Sequence, residues 1–233
     1  MGSFDLPRRL AAEALGTGIL VCTVVGSGIM ADRLTDDAAL VLLANTLPTG
    51  AILVVIITMF GMISGAHFNP AVSIGFAINR SLALKEAGLY IAAQIVGGVL
   101  GTFAAHLMFA LPLVQVAVIE RSGPAQWFAE FVAAFGLMAS ILACVRFHPK
   151  SVAWVVGLYI TAACWFTAST SFANPAVTIA RTLTDTFSGI RPVDVPPFIL
   201  AQVAGATAAV VLMSWLLEPR DKAEPVSAPN PGE

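Results

Sequence analysis

Two short segments carry the polar groups best placed to act inside an otherwise apolar chain. Asn69-Pro70-Ala71-Val72 follows Ser64-Gly65-Ala66-His67-Phe68, and Asn174-Pro175-Ala176-Val177 follows Thr170-Ser171-Phe172-Ala173. Asparagine is a favoured N-cap, and proline is favoured as the first helical residue because its missing N–H would be unpaired there anyway. Each copy therefore predicts a loop that drops into a helix at the asparagine. From Pro70 to about Asn79 this helix is roughly 9–10 residues, or about 14 Å, long. That is half of a hydrocarbon core of about 30 Å, so two half-helices entering from opposite sides make one span. Their N-termini meet head to head, each with roughly half a positive charge, and a dehydrated cation between them faces two like poles. The carbonyls of Gly65, Ala66 and His67, and of Ser171, Phe172 and Ala173, cannot all pair inside a helix. Irregular backbone at this depth is tolerated where it is buried or lines a wet cavity. These carbonyls are expected as acceptors along a path, with the Asn69 and Asn174 amides as donors at its centre. The chemistry is that of passage for neutral polar solutes. No nucleophile–base pair or metal-ligating cluster accompanies it, so the chain reads as neither an enzyme nor a cofactor-binding protein.

The elements that must hold these motifs are apolar throughout. The chain is 58% hydrophobic and 11% charged, against roughly 25% charged in an ordinary soluble domain. Its mean hydropathy is +0.85 and its pI about 5.9, and the net charge of -2 excludes the basic patch that nucleic acid requires. Cys22, Cys144 and Cys164 stand singly in apolar runs and predict small buried residues rather than disulfides or a zinc site. Arg8 and Arg9 precede a run that continues to about Met30, which predicts a retained first helix rather than a cleaved signal. Apolar spans are expected near Leu10–Met30, Ala38–Gly61, Ala87–Ala110, Gln126–Phe147, Val152–Ala168 and Val195–Leu217. These make one transmembrane domain over residues 1–218, followed by a proline-rich, disordered tail at 219–233. With both termini inside, the cytoplasmic segments hold Arg8, Arg9, Arg80, Lys85, Arg146, Lys150, Arg220 and Lys222, and the outer loops only Arg33, Arg121, Arg181 and Arg191. The positive-inside rule thus places both termini in the cytoplasm.

The halves repeat. Ala12-Glu13 corresponds to Ala129-Glu130, and Ala93-Gln94-Ile95-Val96-Gly97 to Ala201-Gln202-Val203-Ala204-Gly205, each after its own Asn-Pro-Ala. Repeat one covers about 8–115 and repeat two about 125–217. Three spans per repeat invert the second copy, and inverted repeats with broken helices put the site at the midplane. Gly97, Gly101, Gly205, Ala206 and Ala209 are expected to let helices approach closely.

Ser-Gly-Ala-His-Phe-Asn-Pro-Ala-Val, the second Asn-Pro-Ala, the paired glutamates and the six-span repeat resemble the aquaporin, or major intrinsic protein, family over residues 8–217. The resemblance implies an all-α membrane protein of six transmembrane helices plus two re-entrant half-helices. It also implies one pore per subunit in a homotetramer, embedded in the bacterial inner (plasma) membrane. Asn69, Pro70, Ala71, Asn174, Pro175 and Ala176 then form the central constriction. Glu13 and Glu130 are implied to be structural acceptors for loop backbone, although an intramembrane carboxylate is in general also a candidate proton relay. His67 is implied to turn its carbonyl rather than its ring to the pore.

One departure from the family pattern bears on the solute. Most members place arginine directly after the second Asn-Pro-Ala, where this chain has Val177; Arg181 follows one turn on and is expected outside the constriction. Carried over by spacing from the asparagines, the selectivity filter is Thr49, Ala162, Ser171 and Val177, with no aromatic, no charge, no cysteine and little bulk. Pore diameter, lining groups and electrostatic barriers set selectivity in such channels. The expected solutes are metalloid acids such as arsenite, and by extension methylated arsenicals, together with glycerol and water. This resembles bacterial aquaglyceroporins linked to arsenic detoxification. Two alternatives are a general water and glycerol facilitator with no arsenic role, and an ion-coupled secondary transporter.

Overall fold

A computed structural model of the chain describes residues 4–218; the tail expected at 219–233 lies outside them. Eight α-helices account for most of the described chain: α1 (Leu6–Leu34), α2 (Ala38–Ser64), α3 (Pro70–Ile78), α4 (Leu84–Met108), α5 (Pro124–Phe147), α6 (Val152–Phe166), α7 (Pro175–Ala180) and α8 (Val195–Leu216). Six correspond to the expected spans and two, α3 and α7, to the half-helices. α1, α2, α4, α5 and α8 are each long and apolar enough to cross a membrane. α6 has 15 residues and is preceded by a 3-10 turn at Pro149–Ser151, which adds length to its about 22 Å of α-helix.

Local chemistry sets the helix ends. Asp5 caps α1 by accepting from the Arg8 N–H at 3.1 Å, and Asp37 caps α2 by accepting from Ala39 and Leu40. α2 stops at Gly65, which adopts a left-handed φ of 89°. α3 and α7 begin as the sequence predicts: each asparagine is the N-cap, with proline in the first helical turn. α3 has nine residues. α7 has six and continues as a 3-10 turn over Arg181–Leu183.

The two halves pack alike. α1 lies along α4, and α5 lies along α8, as the most extensive helix pairs in the molecule, and α2 meets α6 across the repeat boundary. Glycine makes the first two approaches possible. A Cβ on Gly97 would collide with the Ala14 carbonyl oxygen, and one on Gly205 with that of Phe131. These glycines are equivalent, each three residues after the glutamine of its repeat. In lipid, where apolar burial drives little association, such close backbone packing is a main source of helix–helix attraction. Val21, Val25, Ile56, Phe68, Ala133 and Met138 are among the buried apolar residues at the centre. Leu47, Met62, Leu100, Phe128, Leu158 and Trp215 are exposed on the outside. Helices that are apolar all round fit burial in a bilayer.

Candidate functional site: a passage between two half-helices

The segments before the half-helices are built to the same plan. Ala66 and Phe68 in the first, and Ser171 and Ala173 in the second, take left-handed φ values of 52°, 50°, 52° and 47°. In each pair these residues stand three and one positions before the asparagine. Left-handed backbone costs a non-glycine residue roughly 1–2 kcal/mol, so something must hold it. The two glutamates do so. Glu13, fully buried, accepts from the Ser64 hydroxyl at 2.6 Å, the His67 N–H at 3.0 Å, the Phe68 N–H at 2.7 Å and the Gln94 amide at 2.8 Å. Glu130, also fully buried, accepts from the Phe172 and Ala173 N–H groups, both at 2.9 Å, and from Gln202 at 2.6 Å. The same glutamines donate to Ser73 at 3.0 Å and Thr178 at 2.9 Å, each four residues past its asparagine, which locks loop to half-helix. With every partner donating to it, each carboxylate is occupied as an acceptor.

At the centre the repeats clasp one another. Asn69 Nδ2 donates to the Ala173 carbonyl at 2.7 Å and Asn174 Nδ2 to the Phe68 carbonyl at 2.8 Å. Asn69 Oδ1 accepts from Ala71 N–H, and Asn174 Oδ1 from those of Ala176 and Val177. Each amide nitrogen has a second hydrogen, and both asparagines line a cavity of about 110 Å³. Gly65, Ala66, His67, Ser171, Phe172 and Ala173 line it too. The Ala173 carbonyl is already engaged by Asn69, whereas those of Gly65, Ala66, His67, Ser171 and Phe172 meet no protein donor among the described residues. The His67 ring is stacked on Phe76 at 4.7 Å, with Nδ1 3.1 Å from the Ser73 hydroxyl. Pro70, Ala71, Pro175 and Ala176 are buried behind the asparagines.

Three of the four residues carried over as a filter, Thr49, Ser171 and Val177, lie together on the cavity wall. Ala162 does not. It is exposed, because α6 turns Val156, Ile160 and Cys164 inward; these recur every four residues, and a residue two positions from Ile160 points to the opposite side of a helix with 3.6 residues per turn. Cys164 is part of the cavity lining too. Asn45, one turn before Thr49, also lines the cavity, its amide tied to the Val24 carbonyl at 2.7 Å and Ser27 at 3.0 Å. A lone asparagine in an apolar span is the signal that could have found it.

Arg181 is, among the described residues, the one buried arginine on this wall. Expected outside the constriction, it is buried and lines the cavity one turn beyond Val177. Its guanidinium lies over the Phe172 ring at 3.4 Å, and Nε donates to the Ser188 carbonyl. Arg121 covers the same ring at 5.0 Å and ties down the segment above by donating to the carbonyls of Gly189 at 2.8 Å and Phe187 at 3.3 Å. Burial pushes the Arg121 guanidinium down to about 10 against the opposing pull of Glu130, which leaves it charged at neutral pH.

An all-helical bundle with two opposed half-helices around a lined passage defines a membrane channel of aquaporin type. The Major intrinsic protein family profile matches residues 1–150 and again 128–232, and the chain belongs to that family. It is 61% identical over 219 residues to the aquaglyceroporin AqpS of Rhizobium meliloti (strain 1021), covering 94% of each chain. It is 32% identical over 159 residues to the aquaporin NIP6-1 of Arabidopsis thaliana, covering 68% of this chain and 51% of the relative. In fold it is similar to the X-ray structure of the aquaglyceroporin from Plasmodium falciparum, with a TM-score of 0.67 over 91% of this chain and 95% of the other, at 24% identity. These relatives are channels, not enzymes, and the chain is a multi-pass membrane protein of the aquaglyceroporin type.

Proposed function

We propose that the protein is a wide-filter aquaglyceroporin that conducts metalloid acids such as arsenite, and methylated arsenicals, alongside glycerol and water. The supporting observation is the smallness of Thr49, Ser171 and Val177, which all line the cavity, with neither a bulky aromatic at Thr49 nor a guanidinium at Val177. Arsenous acid is uncharged near neutral pH and displays hydroxyls much as a compact polyol does. The asparagine amides and free loop carbonyls exchange hydrogen bonds with those hydroxyls as water is shed, and two opposed helix N-termini disfavour cations. We place the protein in the bacterial inner membrane as a homotetramer with both termini cytoplasmic, on the eight-to-four excess of Lys and Arg in the inner segments. α7 then runs toward the outer face.

The test is stopped-flow and tracer uptake in proteoliposomes for water, glycerol and arsenite, comparing the native chain with Val177→Arg and Thr49→Trp. Native arsenite uptake well above empty liposomes is expected, with each replacement lowering arsenite roughly tenfold and water less, because constriction acts first on the larger solute. Native arsenite uptake equal to that of empty liposomes while glycerol flows makes the protein a general water and glycerol facilitator.

A further inference from the structure

The repeat fixes what stands at each mouth of the passage. Seven residues after the asparagine comes Phe76 in the first half and Arg181 in the second; two residues before it come His67 and Phe172. Phe76 stacks on the His67 ring with centroids 4.7 Å apart, and the Arg181 guanidinium lies 3.4 Å from the Phe172 centroid. Both Phe76 and Arg181 line the cavity. Two unrelated side chains thus make the same contact at equivalent positions, so their place in the wall is set by the backbone of the inverted repeat. The first mouth receives a ring there, and the second a cation.

Arg181 is equipped to act on solutes. Arginine resists deprotonation in proteins, and the Phe172 π-face supports the charge by cation–π attraction. Only Nε is engaged, by the Ser188 carbonyl; the terminal nitrogens donate to no protein acceptor among the described residues. On the same wall the buried Ser171 hydroxyl is also without a protein partner. We propose that Arg181 is a specificity-determining residue of this channel, excluding cations at the α7 mouth and offering its free N–H groups to the oxygens of neutral solutes. It supplies from one turn further along the half-helix the charge that Val177 lacks, and leaves the wall at Thr49 and Val177 wide. Its role depends on the channel class alone and holds whether or not metalloids are carried.

Guanidinium and urea make the sharpest probe pair, being nearly the same shape and differing in charge. In proteoliposomes the native chain is expected to admit guanidinium no faster than empty liposomes while glycerol flows. At an effective dielectric near 20, a full charge within about 12 Å of a passing cation alters its entry roughly tenfold or more. Arg181→Gln, which removes the charge but keeps an amide donor, is therefore expected to raise guanidinium entry at least about tenfold while urea and glycerol entry change far less, so that the guanidinium-to-urea ratio rises, whereas Arg181→Lys keeps guanidinium out. Arg181→Met, which retains an apolar stem over Phe172, serves if the glutamine variant does not assemble. Unchanged guanidinium exclusion in Arg181→Gln or Arg181→Met, with glycerol flux still above that of empty liposomes, overturns the proposal. So does native guanidinium entry at the rate of urea, a result that needs no variant.

Discussion

Glu13 and Glu130 show how little freedom a carboxylate has once a loop is built on it. Four donors converge on Glu13, and three, two of them consecutive backbone N–H groups, converge on Glu130. Removing Glu130 orphans the buried Phe172 and Ala173 N–H groups and leaves the Gln202 amide with Thr178 alone. Each unsatisfied buried donor costs about 1–3 kcal/mol, more when the lost acceptor is charged. Glu130→Ala is thus expected to destabilise the protein by about 3 kcal/mol or more, read as a lower midpoint of denaturant unfolding in detergent. Glu130→Gln, which keeps one acceptor oxygen, should fall between it and the native chain. A midpoint unchanged in Glu130→Ala would show that the loop holds its left-handed residues without the carboxylate. The filter residues behave differently: Thr49 bonds only within its own helix, to the Asn45 carbonyl at 2.8 Å, so Thr49→Trp tests the passage without undoing a network.

At the scale of elements, Gly97 and Gly205 hold each repeat together, because their missing side chains let α4 meet the Ala14 backbone and α8 the Phe131 backbone. Gly97→Leu and Gly205→Leu are expected to force the pairs apart. Overpacking a tight interface costs about 1–3 kcal/mol or more, here visible as loss of folded protein extracted from the membrane. Gly61 is the control, since a Cβ there meets nothing within 4 Å, and Gly61→Ala should leave yield unchanged. The same elements show what a sequence can and cannot disclose. α3 is legible to within a residue because an N-capping asparagine, a proline and a short apolar run are all local signals. The spans are legible because lipid demands about 20 apolar residues in a row, and the inverted plan because Glu, Gln and Asn-Pro-Ala recur in one order. The rotation of α6 is not legible: all of Val152–Phe166 is apolar enough to face lipid or passage, so hydropathy carries no phase against which to check the spacing that pointed to Ala162. Arg181 is obscured for a related reason, since one turn of a half-helix separates an outer loop from the cavity wall, and only the stacking partner Phe172 decides which it joins.

For the molecule as a whole, the question is whether anything on the passage can couple flux to a proton gradient. Coupling requires a titratable group that the solute meets and that changes protonation as the protein alternates between states. Among the described residues the deep carboxylates, Glu13 and Glu130, are 0% exposed and sit behind the loops they support, each already accepting from its own set of donors. The His67 ring is stacked on Phe76, and its Nδ1 is engaged with the Ser73 hydroxyl. Alternation would also require one repeat to rock against the other. Asn69 and Asn174 oppose this, because each donates across the repeat boundary to the segment preceding the other, and rocking breaks both bonds at once. Flux should therefore follow the solute gradient alone. In proteoliposomes glycerol uptake is expected at the same initial rate with and without an imposed difference of about one pH unit, in either direction, ending when inside and outside concentrations match. A change in rate of less than about twofold fits a passive pore, whereas the roughly tenfold gradient of one pH unit could drive a coupled carrier to accumulate solute to a similar ratio. Accumulation beyond the outside concentration would mean that the central clasp opens during transport and that one of the two buried glutamates exchanges its proton.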